Sequence, residues 1–231
     1  MSLLRIVRPA VLSSVVVSSL CFAFSFDDLS NQEAGAGMRA ALDKGAAVAV
    51  NELSVDNGFL SNDKVRIHLP SVLEKARPLL KMAGKGPQLD ELEVSMNHAA
   101  ESAMPLAKAM LVNAVKSMSV EDAKRILTGG ETSVTDFFKE KTSAALYEKF
   151  LPVVKNVTDR VGLARRYDEV MQKAGRFGGV PDNEKTVETY VAQRALDGLY
   201  KMIAEEERAI RHDPMSSGSK SIEKVFGLLN K

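Results

Sequence analysis

Apolar side chains recur every three to four residues through almost the whole chain after the first thirty positions. This period is that of an amphipathic helix, and it constrains the fold more than any other feature. Three of the clearest stripes are Ala34, Met38, Ala41 and Leu42; Leu89, Leu92, Met96, Ala99 and Ala103; and Val191, Ala195, Leu199, Met202, Ile203 and Ile210. The pattern predicts an all-α fold: a single domain of about nine helices.

Capping and breaking residues predict the helix boundaries. Ser-x-x-Glu or Ser-x-x-Asp patterns precede apolar runs at Ser30, Ser71, Ser119 and Ser133, and each is typical of a helix N-terminus. Pro105 is expected to end one helix at Met104 and start another, and Pro152 is expected to interrupt or restart a helix near Leu151. A long helix is expected from about Lys185 to His212.

The remaining segments are predicted loops, with at most one short extended segment. Val65 to Leu69 alternate apolar and polar residues, which is the only strand-like signal in the chain. The glycine-rich stretch from Gly175 to Asn183 reads as a loop, and residues 216–219 as a Ser/Gly linker to a short C-terminal helix.

The first residues have the layout of a secretory signal peptide. Arg5 and Arg8 precede a short stretch of apolar and small residues from Ala10 to Phe24, and no acidic residue occurs before Asp27. The stretch is shorter than a membrane span and contains four serines, so no permanent transmembrane anchor is expected. We therefore predict a signal peptide over residues 1–25, a helical domain over 26–231, and a periplasmic location in a bacterium.

Two cleavage sites fit this signal, one after Ser25 and one after Ala23, and the first is favoured. Cys21 also raises the alternative of a lipoprotein. Lipoprotein signals carry a small residue before the cysteine, and Leu20 departs from that pattern. Cleavage at either site removes the only cysteine, which leaves the mature domain without a disulfide or a thiolate ligand.

Charge argues against a nucleic-acid partner. Cleavage after Ser25 removes two arginines and no acidic residue, so the formal net charge falls from +1 to −1. A nearly neutral domain has little attraction for a phosphate backbone.

Several separated motifs resemble one known family. They are Asp56-Asn57-Gly58-Phe59-Leu60, Val65-Arg66-Ile67-His68-Leu69-Pro70, Leu92-Glu93-Val94-Ser95-Met96-Asn97, Met118-Ser119-Val120-Glu121-Asp122-Ala123, Ile126-Leu127-Thr128-Gly129-Gly130, and Ala195-Leu196-Asp197-Gly198-Leu199 through Ile203-Ala204-Glu205-Glu206-Glu207. Together they resemble the bacterial domain-of-unknown-function family 4197, over essentially the whole mature chain. The resemblance implies export and a helical fold, but no activity. His68 departs from it, since an Ile-Pro-Leu-Pro form is expected there.

Five polar residues are candidates for a ligand-binding site or a buried polar network. Glu93, Asn97 and Glu101 form an i, i+4 row beside an apolar stripe, Asn113 lies on an apolar helix, and Glu206 falls on the apolar face of the long helix. Buried carboxylates need partners, for which Arg125, Arg194 or Arg208 could serve. A network that fixes helix register is favoured over a ligand site.

No motif indicates a catalytic residue, a metal or another cofactor. His98-x-x-Glu101 lacks the additional ligands of a metal site, and no nucleophile elbow is present. Gly129-Gly130 before a predicted helix could hold an anion, but a helix C-cap followed by an N-cap is favoured.

Three function hypotheses follow. The first is a non-enzymatic periplasmic binding or accessory protein, with a small apolar ligand among the helices from Met96 to Met118. The second is a structural or envelope protein-interaction module with an exposed apolar patch. The third, ranked last, is an enzyme that uses the carboxylates of the Glu93, Asn97 and Glu101 row.

Overall fold

A computed structural model describes residues 31–175 and 184–227. The predicted signal peptide, the cap at Ser30 and the loop at 176–183 lie outside these residues. The elements are α1 (Asn31–Leu53), α2 (Ser71–Met82), α3 (Gly86–Lys116), α4 (Val120–Thr128), α5 (Ser133–Thr158), α6 (Gly162–Gly175), α7 (Val187–His212), a 3-10 helix (Pro214–Ser217) and α8 (Lys220–Phe226). The all-α prediction is confirmed, and the described ranges contain no strand.

Two predicted helix boundaries are wrong, because Pro105 and Pro152 lie inside α3 and α5. An internal proline removes a backbone hydrogen bond and costs about 3 kcal/mol. Burial on both sides of each proline offsets this cost: Met104 and Ala107 flank Pro105 in the core, and Phe150 and Val154 flank Pro152. Tertiary packing therefore keeps both helices continuous.

Helices α3, α5 and α7 form the centre of the bundle, where α3 against α5 and α5 against α7 are the most extensive contacts. Helix α1 packs against α3 and α7, and it also contacts α8 extensively. Helix α2 is peripheral, with its main contact on α3. Phe59, Phe138, Phe150 and Phe226 are the bulkiest side chains that the bundle buries completely.

The C-terminal helix packs tightly rather than trailing from its linker. Ile222, Val225 and Phe226 of α8 are buried. Gly37 of α1 allows this approach, since a Cβ there would lie 2.3 Å from the Val225 Cγ2. The predicted linker is partly the 3-10 helix, followed by Gly218 in the left-handed conformation.

A second glycine fixes the loop between α1 and α2 against α7. A Cβ on Gly198 would lie 2.7 Å from Cε1 of the fully buried Phe59 and 3.3 Å from the Val65 Cβ. The ring of Phe59 therefore rests on the bare backbone of α7. Residue 198 has no room for a side chain unless the loop moves.

Gly198→Ala should lower the free energy of unfolding by about 1 to 3 kcal/mol, because the added methyl overpacks the Phe59 ring. Gly45→Ala is the matched control, since it is also within a helix and its Cβ would meet only the Glu206 Cβ at 3.6 Å. We expect the control to raise stability by up to about 1 kcal/mol, as glycine is a poor helix former. Urea denaturation measures both, and a stabilised Gly198→Ala variant would contradict the packing described.

Candidate functional site

The row Glu93, Asn97 and Glu101 lies on one face of α3, and all three side chains are buried. They face the segment from residue 56 to 68, which connects α1 to α2. Each polar group meets a backbone or side-chain partner there. The row therefore holds this connection against α3.

Glu101 binds the turn after α1. Its carboxylate accepts backbone N–H groups from Asn57 at 3.2 Å, Phe59 at 3.0 Å and Leu60 at 3.2 Å. The Nδ1 atom of His98 lies 2.7 Å from the Glu101 Oε2. Asn57 takes the left-handed conformation, with φ 64°, which helps to converge the N–H groups on one anion. Both oxygens of Glu101 are occupied by donors from the chain itself.

The side-chain amide of Asn97 supplies hydrogen bonds that a neighbouring strand would otherwise give to the segment from Val65 to Leu69. Its Oδ1 accepts the N–H of Ile67 at 2.8 Å, and its Nδ2 donates to the C=O of Ile67 at 2.8 Å and to that of Glu93 at 2.8 Å. Val65, Ile67 and Leu69 are buried while His68 is exposed, so burial alternates without a sheet. The strand-like pattern is thus explained by a side-chain amide that pairs with the extended backbone.

Glu93 forms ion pairs at the outer end of the row. It lies 3.0 Å from the guanidinium of Arg66 and 3.0 Å from that of Arg77, and 3.5 Å from the His68 imidazole. Arg77 also pairs with Glu74, and this hydrogen bond lowers the pKa of the Glu74 carboxyl. The partners are thus two arginines that the sequence analysis had not selected.

A second buried carboxylate, Glu207 of α7, caps α5. It accepts the N–H of Val134 at 2.9 Å and the N–H and hydroxyl of Thr135, each at 3.0 Å. Arg211 pairs with Glu207 at 2.9 Å and also donates to the C=O of Ile126 at the end of α4. One ion pair therefore provides hydrogen-bond partners for a backbone C=O near the end of α4 and for two backbone N–H groups at the start of α5.

This arrangement corrects the predicted cap at Ser133. Thr132, not Ser133, is the N-cap residue, and its side chain makes no capping hydrogen bond. Glu207 supplies that function from another helix, so these N–H groups are not open to an external anion. Gly129 is needed for packing, since a Cβ there would lie 2.6 Å from the Ser133 Cβ.

The structure places two of the five predicted residues differently. Asn113 is exposed, because the buried arc of α3 is narrow near its C-terminal end, where Val112 is only half-buried. Glu206 is half-buried, and burial raises the pKa of its carboxyl, with a further contribution from Glu52. The fully buried carboxylate is its neighbour Glu207, a shift of one residue around the helix.

The contact between the α3 row and residues 56–68 is called the first junction below, and the contact of Glu207 and Arg211 with α4 and α5 the second. An open cleft lies beside the first junction, between residues 64–68 and α7. Its volume is about 310 Å³, and its charged Lys, Arg and Asp side chains are Lys64, Arg66, Arg194, Lys201 and Asp197. Four of these five side chains are basic. The lining therefore holds more basic than acidic side chains, although the whole chain is nearly neutral.

A second opening surrounds the His98 and Glu101 pair. It has a volume of about 450 Å³ and includes Asp56 and Ser102 in its lining. Glu101 in this pair is already engaged by three backbone N–H groups of the turn. Elsewhere in the chain, burial raises the pKa of the Asp168 carboxyl to about 6 and also raises the pKa of the Asp43 carboxyl.

Within the described ranges, no three His, Cys, Asp or Glu side chains are grouped so as to hold a metal ion. Over the same residues, no helix combines the length and the apolar character that crossing a bilayer requires.

The fold and these contacts define a class of all-α protein in which buried polar side chains join the helix ends and connections. The chain belongs to the family described as protein of unknown function (DUF4197), whose model matches residues 28–227. The resemblance drawn from the sequence motifs is thereby confirmed. No curated protein and no solved structure matches the chain.

The motifs that suggested the family converge on the two junctions. The motifs around Phe59, Ile67, Asn97 and Gly198 meet at the α3 row and the cleft. Those around Gly129 and Glu207 meet where α4, α5 and α7 join, and the Ser119 motif forms the capping box of α4. These motifs therefore hold the helices in register, and the cleft is lined by members of the first group.

Glu207→Gln should lower the free energy of unfolding by about 3 kcal/mol, because it leaves Arg211 and two helix N–H groups without their buried anion. Glu206→Gln should be nearly neutral or slightly stabilising at pH 7, since the raised pKa shows that the fold disfavours that charge. Denaturation of both variants at neutral pH compares them directly. An equal loss at the two positions would contradict the assignment of Glu207.

Proposed function

We propose that the protein is an exported, non-enzymatic binding protein of the periplasm, and that its cleft between residues 64–68 and α7 holds an anionic group. The observation that carries the proposal is that one basic side chain of the lining, Lys201, has no carboxylate partner among the described residues. Export is supported by the arrangement of Arg5, Arg8 and the apolar stretch that follows them. The ligand chemistry is a carboxylate or a phosphate.

Among the four basic side chains of the cleft, three form ion pairs with carboxylates and one does not. Lys64 pairs with Glu205, Arg66 with Glu93, and Arg194 with Asp197. The ammonium of Lys201 instead donates to the backbone C=O of Lys64 at 2.8 Å and has no carboxylate partner among the described residues. Lys201 is therefore the charge that a bound anion would neutralise.

The cleft wall is held rigid before any ligand binds. Asn97 fixes both polar backbone groups of Ile67 on the α3 side. On the side of the cleft, the C=O of His68 accepts the hydroxyl of Tyr190, which also lines the cleft, at 3.1 Å. A preformed site loses little entropy on binding.

An apolar ligand has less support. Along the helix where this ligand was expected, Met96 and Leu111 are fully buried in the core and Met110 is half-buried. The apolar void lined by Ala41, Gly45 and Phe226 measures about 10 Å³, room for at most one water molecule. The openings beside residues 64–68 and beside His98 both include charged side chains in their linings.

Citrate is a suitable first probe, because it presents several carboxylates without an apolar body. Titration at low ionic strength should shift the backbone amide NMR signals of His68, Arg194 and Lys201. Lys201→Gln should weaken binding about fivefold, the equivalent of roughly 1 kcal/mol for one partly exposed ion pair. Inorganic phosphate, titrated separately, distinguishes the two anion chemistries.

Lys149→Gln is the matched control, because Lys149 is exposed on α5, outside the cleft, and its removal changes net charge equally. It should leave the affinity for citrate unchanged. Signals that shift only outside residues 64–68 and 190–201, or equal losses in both variants, would refute the cleft as the binding site.

A further inference from the structure

Helix α2 exposes large apolar side chains at the edge of the molecule. Leu79 is 72% and Met82 86% exposed, and Val72 is exposed on the same face of the helix. The opposite face packs on the bundle through Leu73. The turn that follows includes Gly84 at φ 73°, and α2 ends at Met82, so the apolar pair lies at the tip of the α2–α3 hairpin, where the chain turns between the two helices.

The same tip has an excess of positive charge. Residues 71–87 contain four basic residues and one acidic residue, Glu74. Arg77 pairs with Glu74 at 2.8 Å and with Glu93 at 3.0 Å, and it lies 3.4 Å from Asp90. Asp90 and Glu91, which follow the hairpin, are exposed and reduce the positive excess without cancelling it. Three lysines, Lys75, Lys81 and Lys85, form no ion pair within the described part of the chain.

We propose that the α2–α3 hairpin, defined as residues 71–87, docks peripherally on an anionic lipid surface. Leu79 and Met82 enter the boundary between headgroups and acyl chains, and the three lysines contact lipid phosphates. Amphipathic helices with apolar and basic residues bind membranes in this way, and each lysine near an anionic surface adds to the attraction. The proposal is independent of the cleft.

Charge favours a bilayer over a second copy of the chain. Two such hairpins would bring six lysines together that form no ion pair within the described part of the chain, and like charges repel. An anionic bilayer instead supplies both the apolar medium and the opposite charge.

Vesicle co-sedimentation tests the proposal. The full protein is mixed with vesicles of phosphatidylcholine alone or with phosphatidylglycerol added at about one-third, as a source of surface charge. We expect binding to the anionic vesicles only. Leu79→Ser with Met82→Ser should weaken it at least tenfold, and Lys81→Gln with Lys85→Gln should weaken it about tenfold and reduce its dependence on salt.

Met215→Ser is the matched control, because Met215 is 70% exposed on the 3-10 helix, outside the hairpin. It should bind like the unchanged protein, and thermal melts should show that every variant is folded. Absence of binding to anionic vesicles, or equal loss in the Met215 variant, would overturn the proposal. So would dimerisation in sedimentation equilibrium that disappears with the Leu79 and Met82 substitutions, since a second copy would then occupy the tip.

Discussion

Four backbone N–H groups and one C=O of residues 57–67 hydrogen-bond to side chains of α3, and the rest of the structure depends on these contacts. Glu101 gathers the N–H groups of the turn, and Asn97 pairs with both polar groups of Ile67. With its backbone satisfied, the segment can place Phe59 on the bare surface of Gly198. Helices α1, α3 and α7 are thereby joined through one connection that has no regular structure.

The position of the cleft is a consequence of this junction. Pairing with Asn97 turns His68 outward, and the short separation at Gly198 brings Arg194 and Lys201 of α7 beside Lys64. Polar residues that stabilise the fold therefore also determine where the unpaired cation lies. A structural role for the row is compatible with a ligand in the cleft, because the row contacts residues 57–67 from α3 while residues 64–68 also line the cleft.

The sequence was sufficient for the fold class, because the helical apolar period reflects burial directly. It was also sufficient to select the row on α3, where three polar residues spaced by four positions flank an apolar stripe. It could not identify their partners, since Arg66, Arg77 and the turn at Asn57 are brought there by tertiary packing. The choice of Glu206 over Glu207 failed for a related reason: adjacent residues on α7 differ by about 100° in direction, and three consecutive glutamates give no signal to separate them. The prolines inside α3 and α5 were misread because local propensity is weaker than core burial.

Native-state hydrogen exchange of the amides of Phe59, Leu60 and Ile67 tests the central claim most directly. If Glu101 and Asn97 hold this connection, these amides should exchange as slowly as those in the buried part of α3, although they lie in no helix. In a Glu101→Gln variant, the amides of Phe59 and Leu60 should lose much more of their protection from exchange than the buried amides of α3 do. Rapid exchange at these amides in the unchanged protein, at the rate of an exposed loop, would contradict the account.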